Sequence, residues 1–245
     1  RLGAEISLLK FEWGEAVDID KVGSHLNNHS YDVIAVVHAE TSTGVQNAVN
    51  QISKFIDDDT IFIVDAVTSL GTVDIQVDNW NIDAIYSCSQ KGLSCPPGAS
   101  PISFSDKALD KMKNKKKMAP NWYLDMSEII KYWDGQQRVY HHTAPINMMY
   151  ALYQSLFDLI EEGIDNTIKR HYDAHLTLEK GLNIQEALDV FEEFELNHDP
   201  KWDLRTCVRE YVYLYIDHFG NNNLPQLKIL SGQKKENHHT SVGMV

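Results

Sequence analysis

Two charged residues stand at the ends of long apolar runs. Ile61-Phe62-Ile63-Val64 closes on Asp65, and the stretch from Asp83 through Ala84-Ile85-Tyr86-Ser87-Cys88-Ser89-Gln90 closes on Lys91. Runs of this kind read as buried strands of a parallel sheet. Ligands of open α/β sheets sit at the carboxyl ends of the strands, so Asp65 and Lys91 are expected to face one crevice from neighbouring strands. A lysine amine can form a Schiff base with an aldehyde, and a carboxylate can keep a pyridine nitrogen protonated. The pair therefore suits pyridoxal 5'-phosphate. Charged residues at strand ends also serve as solvated groups or structural ion pairs, and periodicity alone does not choose between the two.

The elements that must position these residues alternate. Ala4 to Phe11 reads as a strand, and Asp18 caps a short helix running toward Leu26. Val33-Ile34-Ala35-Val36-Val37 reads as a buried strand, and Gly44 to Phe55 as an amphipathic helix. Strands follow over Thr60–Asp65, Ile82–Ser87 and Ile102–Phe104, the last after the Pro96-Pro97-Gly98 turn. A helix begins near Asp106. Pro145 to Glu162 forms a long helix ended by Gly163, and another runs from Asn166 to Lys180. The βαβ rhythm predicts an α/β fold with a mostly parallel sheet, flanking helices and right-handed crossovers. The small and hydroxylic neighbours of Lys91 (Ser87, Ser89, Gly92, Ser94) leave room for a bound group. Gly92 offers unusual backbone freedom, and the serines could donate to a phosphate.

Five linked stretches resemble the class V aminotransferases, of the alanine–glyoxylate (serine–pyruvate) type. They are His38-Ala39-Glu40-Thr41-Ser42-Thr43-Gly44, Val64 to Gly71, Tyr86 to Lys91, Pro96-Pro97-Gly98 and Tyr140-His141-His142-Thr143. Order and spacing agree over residues 1–185. The resemblance implies the large domain of a type I pyridoxal-phosphate transferase fold, incomplete, over residues 1–162. A reduced α+β C-terminal domain would follow over 163–232, and a disordered tail over 233–245. It implies pyridoxal 5'-phosphate as cofactor, with Lys91 as its Schiff-base and proton-shuttling residue and Asp65 as partner of the pyridinium. Val67 would pack on the ring, Thr41 would stand near the ring hydroxyl where the family has a serine, and Gln90 would hold the phosphate. Tyr140 and Thr143 resemble residues that reach the phosphate of a neighbouring subunit, which implies a homodimer.

The resemblance further implies transamination, with alanine or serine as donor and glyoxylate or pyruvate as acceptor. A glycine-rich phosphate loop and a ring-stacking aromatic residue, which the family carries upstream, are expected to be missing. The family's carboxylate-clamping arginine has only Lys228 as a weak counterpart, and a lysine cannot reproduce a bidentate fork. These departures leave open a catalytically inactive, truncated paralogue that pairs with a full-length subunit. A lyase or desulfurase on the same fold is weaker, since neither Cys88 nor Cys95 stands in an obvious mobile loop.

Composition narrows the partners. The formal net charge of −13 opposes general nucleic-acid binding. The basic run Lys111–Lys117 then reads as a helix C-terminus complementing the dipole. No apolar run approaches the ~20 residues needed to cross a membrane. Cys88, Cys95 and Cys207 read as reduced thiols of an intracellular protein. His141-His142 lacks ligands at metal spacing, so no metal is expected. The resemblance suggests a peroxisomal or mitochondrial location, although Gly243-Met244-Val245 is no peroxisomal signal.

Overall fold

Four strands form one sheet because four apolar runs, each three to five residues long, find neighbours in register. In the computed structural model, which describes residues 4–115, 119–133 and 139–179, these are β1 (Val33–Val37), β4 (Ile61–Asp65), β5 (Ala84–Tyr86) and β6 (Ile102–Phe104). Their spatial order is β1-β4-β5-β6. β1 pairs with β4, and β4 with β5, in parallel; β6 closes the sheet antiparallel to β5. Val37 stands opposite Asp65, and Asp65 opposite Tyr86. The parallel strands thus end together. The α/β class with a mostly parallel sheet is what the sequence leads one to expect.

One face of the sheet carries the core. Ile34, Val36, Phe62, Val64 and Ile85 are buried there with Val22 and Leu26 of α1 (Ile19–Leu26) and with Val49 and Ile52 of α2 (Val49–Ile52). Phe62 and Val64 are fully buried, and each such side chain stabilises the fold by about 1.5–3 kcal/mol relative to exposure. α1 begins where Asp18 accepts from Lys21 N, the expected cap.

Between β1 and β4 the chain departs from expectation. The helix expected over 44–55 is instead a hairpin arm followed by a short helix. β2 (Ala39–Glu40) and β3 (Val45–Gln46) pair antiparallel around a turn at Thr41–Gly44. Helix begins only at Val49 and tightens into a 3-10 turn at Ser53–Phe55. Asn47 is the cause. Its Oδ1 accepts from Val17 N (2.9 Å), its Nδ2 donates to Val37 O (2.8 Å), and its backbone N donates to His38 O (2.8 Å). These bonds tie residue 47 to β1 and deny it helical partners. The strand expected over 4–11 is also absent; only an isolated bridge forms at Lys10. Leu9 and Phe11 still pack on the core, while Lys10 O accepts from Lys21 Nζ (3.0 Å).

The amino ends of the strands are tied by Asp83. Its Oδ2 accepts from Phe62 N (2.9 Å) and pairs with Lys107 Nζ (2.7 Å), and its Oδ1 accepts from Ser105 Oγ (2.7 Å). Ser105 caps α3 (Asp106–Lys113), whose last turn carries Lys111 and Lys113 as expected. A 3-10 turn at Trp122–Leu124 and α4 (Met126–Trp133) follow, neither of which was expected. α5 (Ile146–Glu162) begins just after Pro145 and ends at Gly163 (φ 86°). Met148, Leu152 and Leu159 of its apolar stripe pack with Leu93 and Cys95, whereas Met149, Leu156 and Ile160 are exposed.

The described residues up to Ile168 belong to one compact unit and those from Lys169 to a second. α6 (Ile164–Glu179) spans this division; its second-unit part carries an i,i+4 ion pair between Lys169 and Asp173. Among the described residues no helix is long and apolar enough to cross a membrane. Of the C-terminal domain expected over 163–232, the part beyond residue 179 falls outside the described residues, as do the polar tail and Lys228.

Candidate active site

The turns that leave β4 and β5 touch. A Cβ built on Gly92 would lie 2.3 Å from Leu70 O and 2.6 Å from Thr72 Cγ2. Gly92 is therefore required by close approach of two backbones, rather than by the conformational freedom expected of it. The left-handed residues nearby are Gly71 (φ 84°) and Ser94 (φ 52°). α5 braces the same turn from behind. Ser155 Oγ donates to Leu93 O, and Met148 lies against Gly98.

Within this frame Lys91 is exposed, and its amine makes no hydrogen bond or ion pair with the described residues. Gln90 is likewise exposed. Asp65, the last residue of β4, is half-buried. Its Oδ1 accepts from Val67 N (2.8 Å) and its Oδ2 from Tyr86 Oη (2.7 Å). Val67 is half-buried beside it. Thr41, on the β2–β3 turn, shares a 2.5 Å hydrogen bond with Thr68 Oγ1. The hairpin turn and the β4 and β5 turns thus meet at the carboxyl end of the sheet. They bring Thr41, Asp65, Val67, Gln90 and Lys91 to one end of it.

Ser87 and Ser89 correct an expectation. Both are buried, with Ser87 Oγ donating to Ala66 O (2.9 Å) and Ser89 Oγ to Pro96 O (2.7 Å). They shape the turn and are not available to a phosphate; Ser94 remains exposed. Tyr86 and Thr68 are partners that the motifs contain but sequence reasoning missed. The signal for Tyr86 was its place as register partner of Asp65, on the same face of adjacent strands.

Electrostatics add two constraints. Tyr86 is pushed up to about 12, first by burial and then by its hydrogen bond to Asp65 and the charge there. His38, at the end of β1, is almost wholly buried and held below its ordinary value by burial, with Asp74 opposing. Its backbone N donates to Asp65 O (2.9 Å), which fixes the strand end that carries the carboxylate.

Tyr140 and Thr143 lie apart in sequence on the segment before α5. Both are exposed and hydrogen-bond to each other through their hydroxyls. Beneath them His141 is buried, stacked on Trp122 at 4.1 Å and joined to His142 through their Nδ1 atoms (2.8 Å).

A family model described as aminotransferase class-V matches residues 1–202. The chain belongs to the class-V aminotransferases. It is 34% identical over 232 residues to an alanine–glyoxylate aminotransferase of Mus musculus, covering 89% of this chain and 55% of that protein. It is 31% identical over 201 residues to the (S)-ureidoglycine–glyoxylate transaminase of Bacillus subtilis (strain 168), covering 74% and 48%. Among solved structures, an alanine–glyoxylate aminotransferase from Nostoc sp. superposes with a TM-score of 0.63 at 44% identity, over 69% of this chain and 45% of that one. The chain spans about half the length of the curated relatives it matches.

Class-V aminotransferases use pyridoxal 5'-phosphate. The donor set of this class-V chain fits that cofactor. It offers an exposed primary amine, a carboxylate held by two donors at a strand end, a hydroxyl pair and an exposed amide, all on one end of the sheet.

Proposed function

We propose that this chain carries a pyridoxal-phosphate site for amino-group transfer from alanine or serine to glyoxylate or pyruvate. The observation that carries it is the Asp65 carboxylate, fixed at the end of β4 by Val67 N and Tyr86 Oη, at the end of the sheet where the turn after β5 offers the amine of Lys91, unpaired among the described residues. When bound, the cofactor supplies a carbonyl that condenses with amines and a ring that accepts the electron pair left by a departing α-proton. Lys91 would hold the cofactor through its Nζ and would carry the substrate's α-proton, as a general base and then a general acid. Asp65 would accept from the ring nitrogen and keep it protonated. Thr41 Oγ1, already paired with Thr68, would offer a hydroxyl near the ring, and the Gln90 amide would serve the phosphate. Val67 would pack against the ring.

Tyr140 and Thr143, exposed and mutually bonded, are placed in this reading to complete the phosphate site of a second subunit in a homodimer. Lys228 is kept as the weak candidate for the substrate carboxylate. A peroxisomal or mitochondrial location belongs to the same reading and rests on the resemblance.

The test is an absorbance spectrum of the purified chain with added pyridoxal phosphate, followed by borohydride reduction and peptide mapping. A visible band fixed covalently at Lys91, with pyruvate and glycine formed from alanine and glyoxylate, is the expected result. Labelling scattered over surface lysines with no band overturns the assignment. A band without turnover, regained on mixing with a full-length relative, selects the inactive-paralogue alternative.

A further inference from the structure

Asp65 is oriented from two directions. Its own turn supplies Val67 N–H to Oδ1, and the neighbouring strand supplies the Tyr86 hydroxyl to Oδ2. Asp65 and Tyr86 are register partners at the ends of β4 and β5, so the hydroxyl is carried by the sheet ladder rather than by a loop. A carboxylate offers about four lone-pair positions. Two donors on different oxygens leave two positions for further acceptance, and they stop rotation about the side chain's final torsion, which is otherwise broad. We propose that Tyr86 is the positioning residue for Asp65, its hydroxyl setting the angle at which the carboxylate meets the ring nitrogen of the cofactor. This inference rests on the cofactor reading above.

Two further observations support it. Tyr86 is 39% exposed although its ring belongs to a strand, which puts it at the open end of the sheet. Its proton is held up to about 12 by burial and by Asp65, so toward that carboxylate it acts as a donor throughout the working range of an aminotransferase. Phenylalanine keeps the ring and loses only this donor. The vacated carboxylate oxygen then turns or takes up water.

The test compares the full chain with Y86F, Y86L, D65N and the Y86F/D65N pair. Dissociation constants for pyridoxal phosphate are measured by absorbance and intrinsic fluorescence. Y86F is expected to weaken binding about tenfold, the effect of losing one hydrogen bond to a charged group, and Y86L by a similar factor. In the D65N background Y86F changes binding less than about twofold, because the two side chains act as one unit. A second readout needs no cofactor. Alkaline titration of tyrosinate absorbance shows a late-ionising component in the wild-type chain that Y86F removes and D65N returns toward the ordinary range. Wild-type binding by Y86F with weak binding by Y86L assigns Tyr86 to ring packing and overturns the proposal. An undiminished Y86F loss in D65N overturns it as well. No binding by the wild-type chain overturns the cofactor reading and the proposal together, whereas wild-type binding with an insensitive Y86F overturns the proposal alone.

Discussion

Gly92 and Leu70 lie so close that a methyl group on Gly92 would sit 2.3 Å from the Leu70 carbonyl oxygen. The atom in the way is backbone, so neither turn can yield without moving a strand end. Gly92→Ala is therefore expected to destabilise the chain by about 1–3 kcal/mol, the usual cost of overpacking. It should also displace the neighbouring Lys91. Urea unfolding reads the first effect, and the yield of borohydride-fixed cofactor at Lys91 reads the second. A variant with wild-type stability and labelling would refute the close-approach account.

Lys91→Ala separates chemistry from folding. The side chain is exposed and unpaired among the described residues, so stability should change by less than about 0.5 kcal/mol. The visible band and the mapped adduct should both vanish. Persistence of the adduct at another lysine would move the assignment.

Asp83 has the opposite profile. It is buried, and it accepts from Phe62 N and Ser105 Oγ while pairing with Lys107. Asp83→Ala leaves the buried Phe62 N–H without its acceptor, while Lys107, about a third exposed, keeps its bond to Thr60 O. The expected loss is about 1–3 kcal/mol, the cost of an unsatisfied buried donor. Equilibrium denaturation should register it, and a loss below about 1 kcal/mol would show that water replaces the carboxylate.

Acid stability should depend on Asp125. Its carboxyl is lowered to about 2, first by the hydrogen bond from Lys115 and then by that from Ser127, with burial pulling the other way. The Lys115 Nζ to Oδ1 distance is 2.6 Å. A carboxylate depressed in the fold contributes stability that is fully present above its unfolded value near 4 and is lost as pH falls through about 2. The advantage of the wild-type chain over D125N should thus hold at pH 5 and shrink between about pH 4 and pH 2. Denaturant midpoints at several pH values measure it. A constant difference across that window would place the depression elsewhere.

Legibility in the sequence followed the range of the interactions. β1 and β6 were readable to the residue, and β4 to within one, because a burst of β-branched and apolar residues is a local signal. The Asp18 cap and the Gly163 stop were local too. The 44–55 segment misled because its apolar spacing suits a helix, while the bonds that break it run from Asn47 back to Val17, Val37 and His38. Ser87 and Ser89 misled for a related reason. A serine near a lysine looks available until the carbonyls of Ala66 and Pro96 are seen to accept from it. Asp65 could be placed at a strand end from the sequence, whereas Lys91, expected to close the next strand, lies in the turn beyond β5, which ends at Tyr86. The donors that orient Asp65 could not, since Tyr86 meets it only through the β4–β5 register.

The parallel pairs of the sheet are closed by residues 38–60, which link β1 to β4, and by residues 66–83, which link β4 to β5. Loop-closure entropy rises slowly with length, and pairings between chain neighbours are the ones that form fastest. Thr41 lies on the first of these connections and Asp65 borders the second, whereas Lys91 lies on residues 87–101, which link β5 to β6. The end of the sheet that carries Thr41 and Asp65 therefore takes shape as the three parallel strands condense, and hydrogen exchange should find the amides around Asp65 protected together with β4 as one cooperative unit.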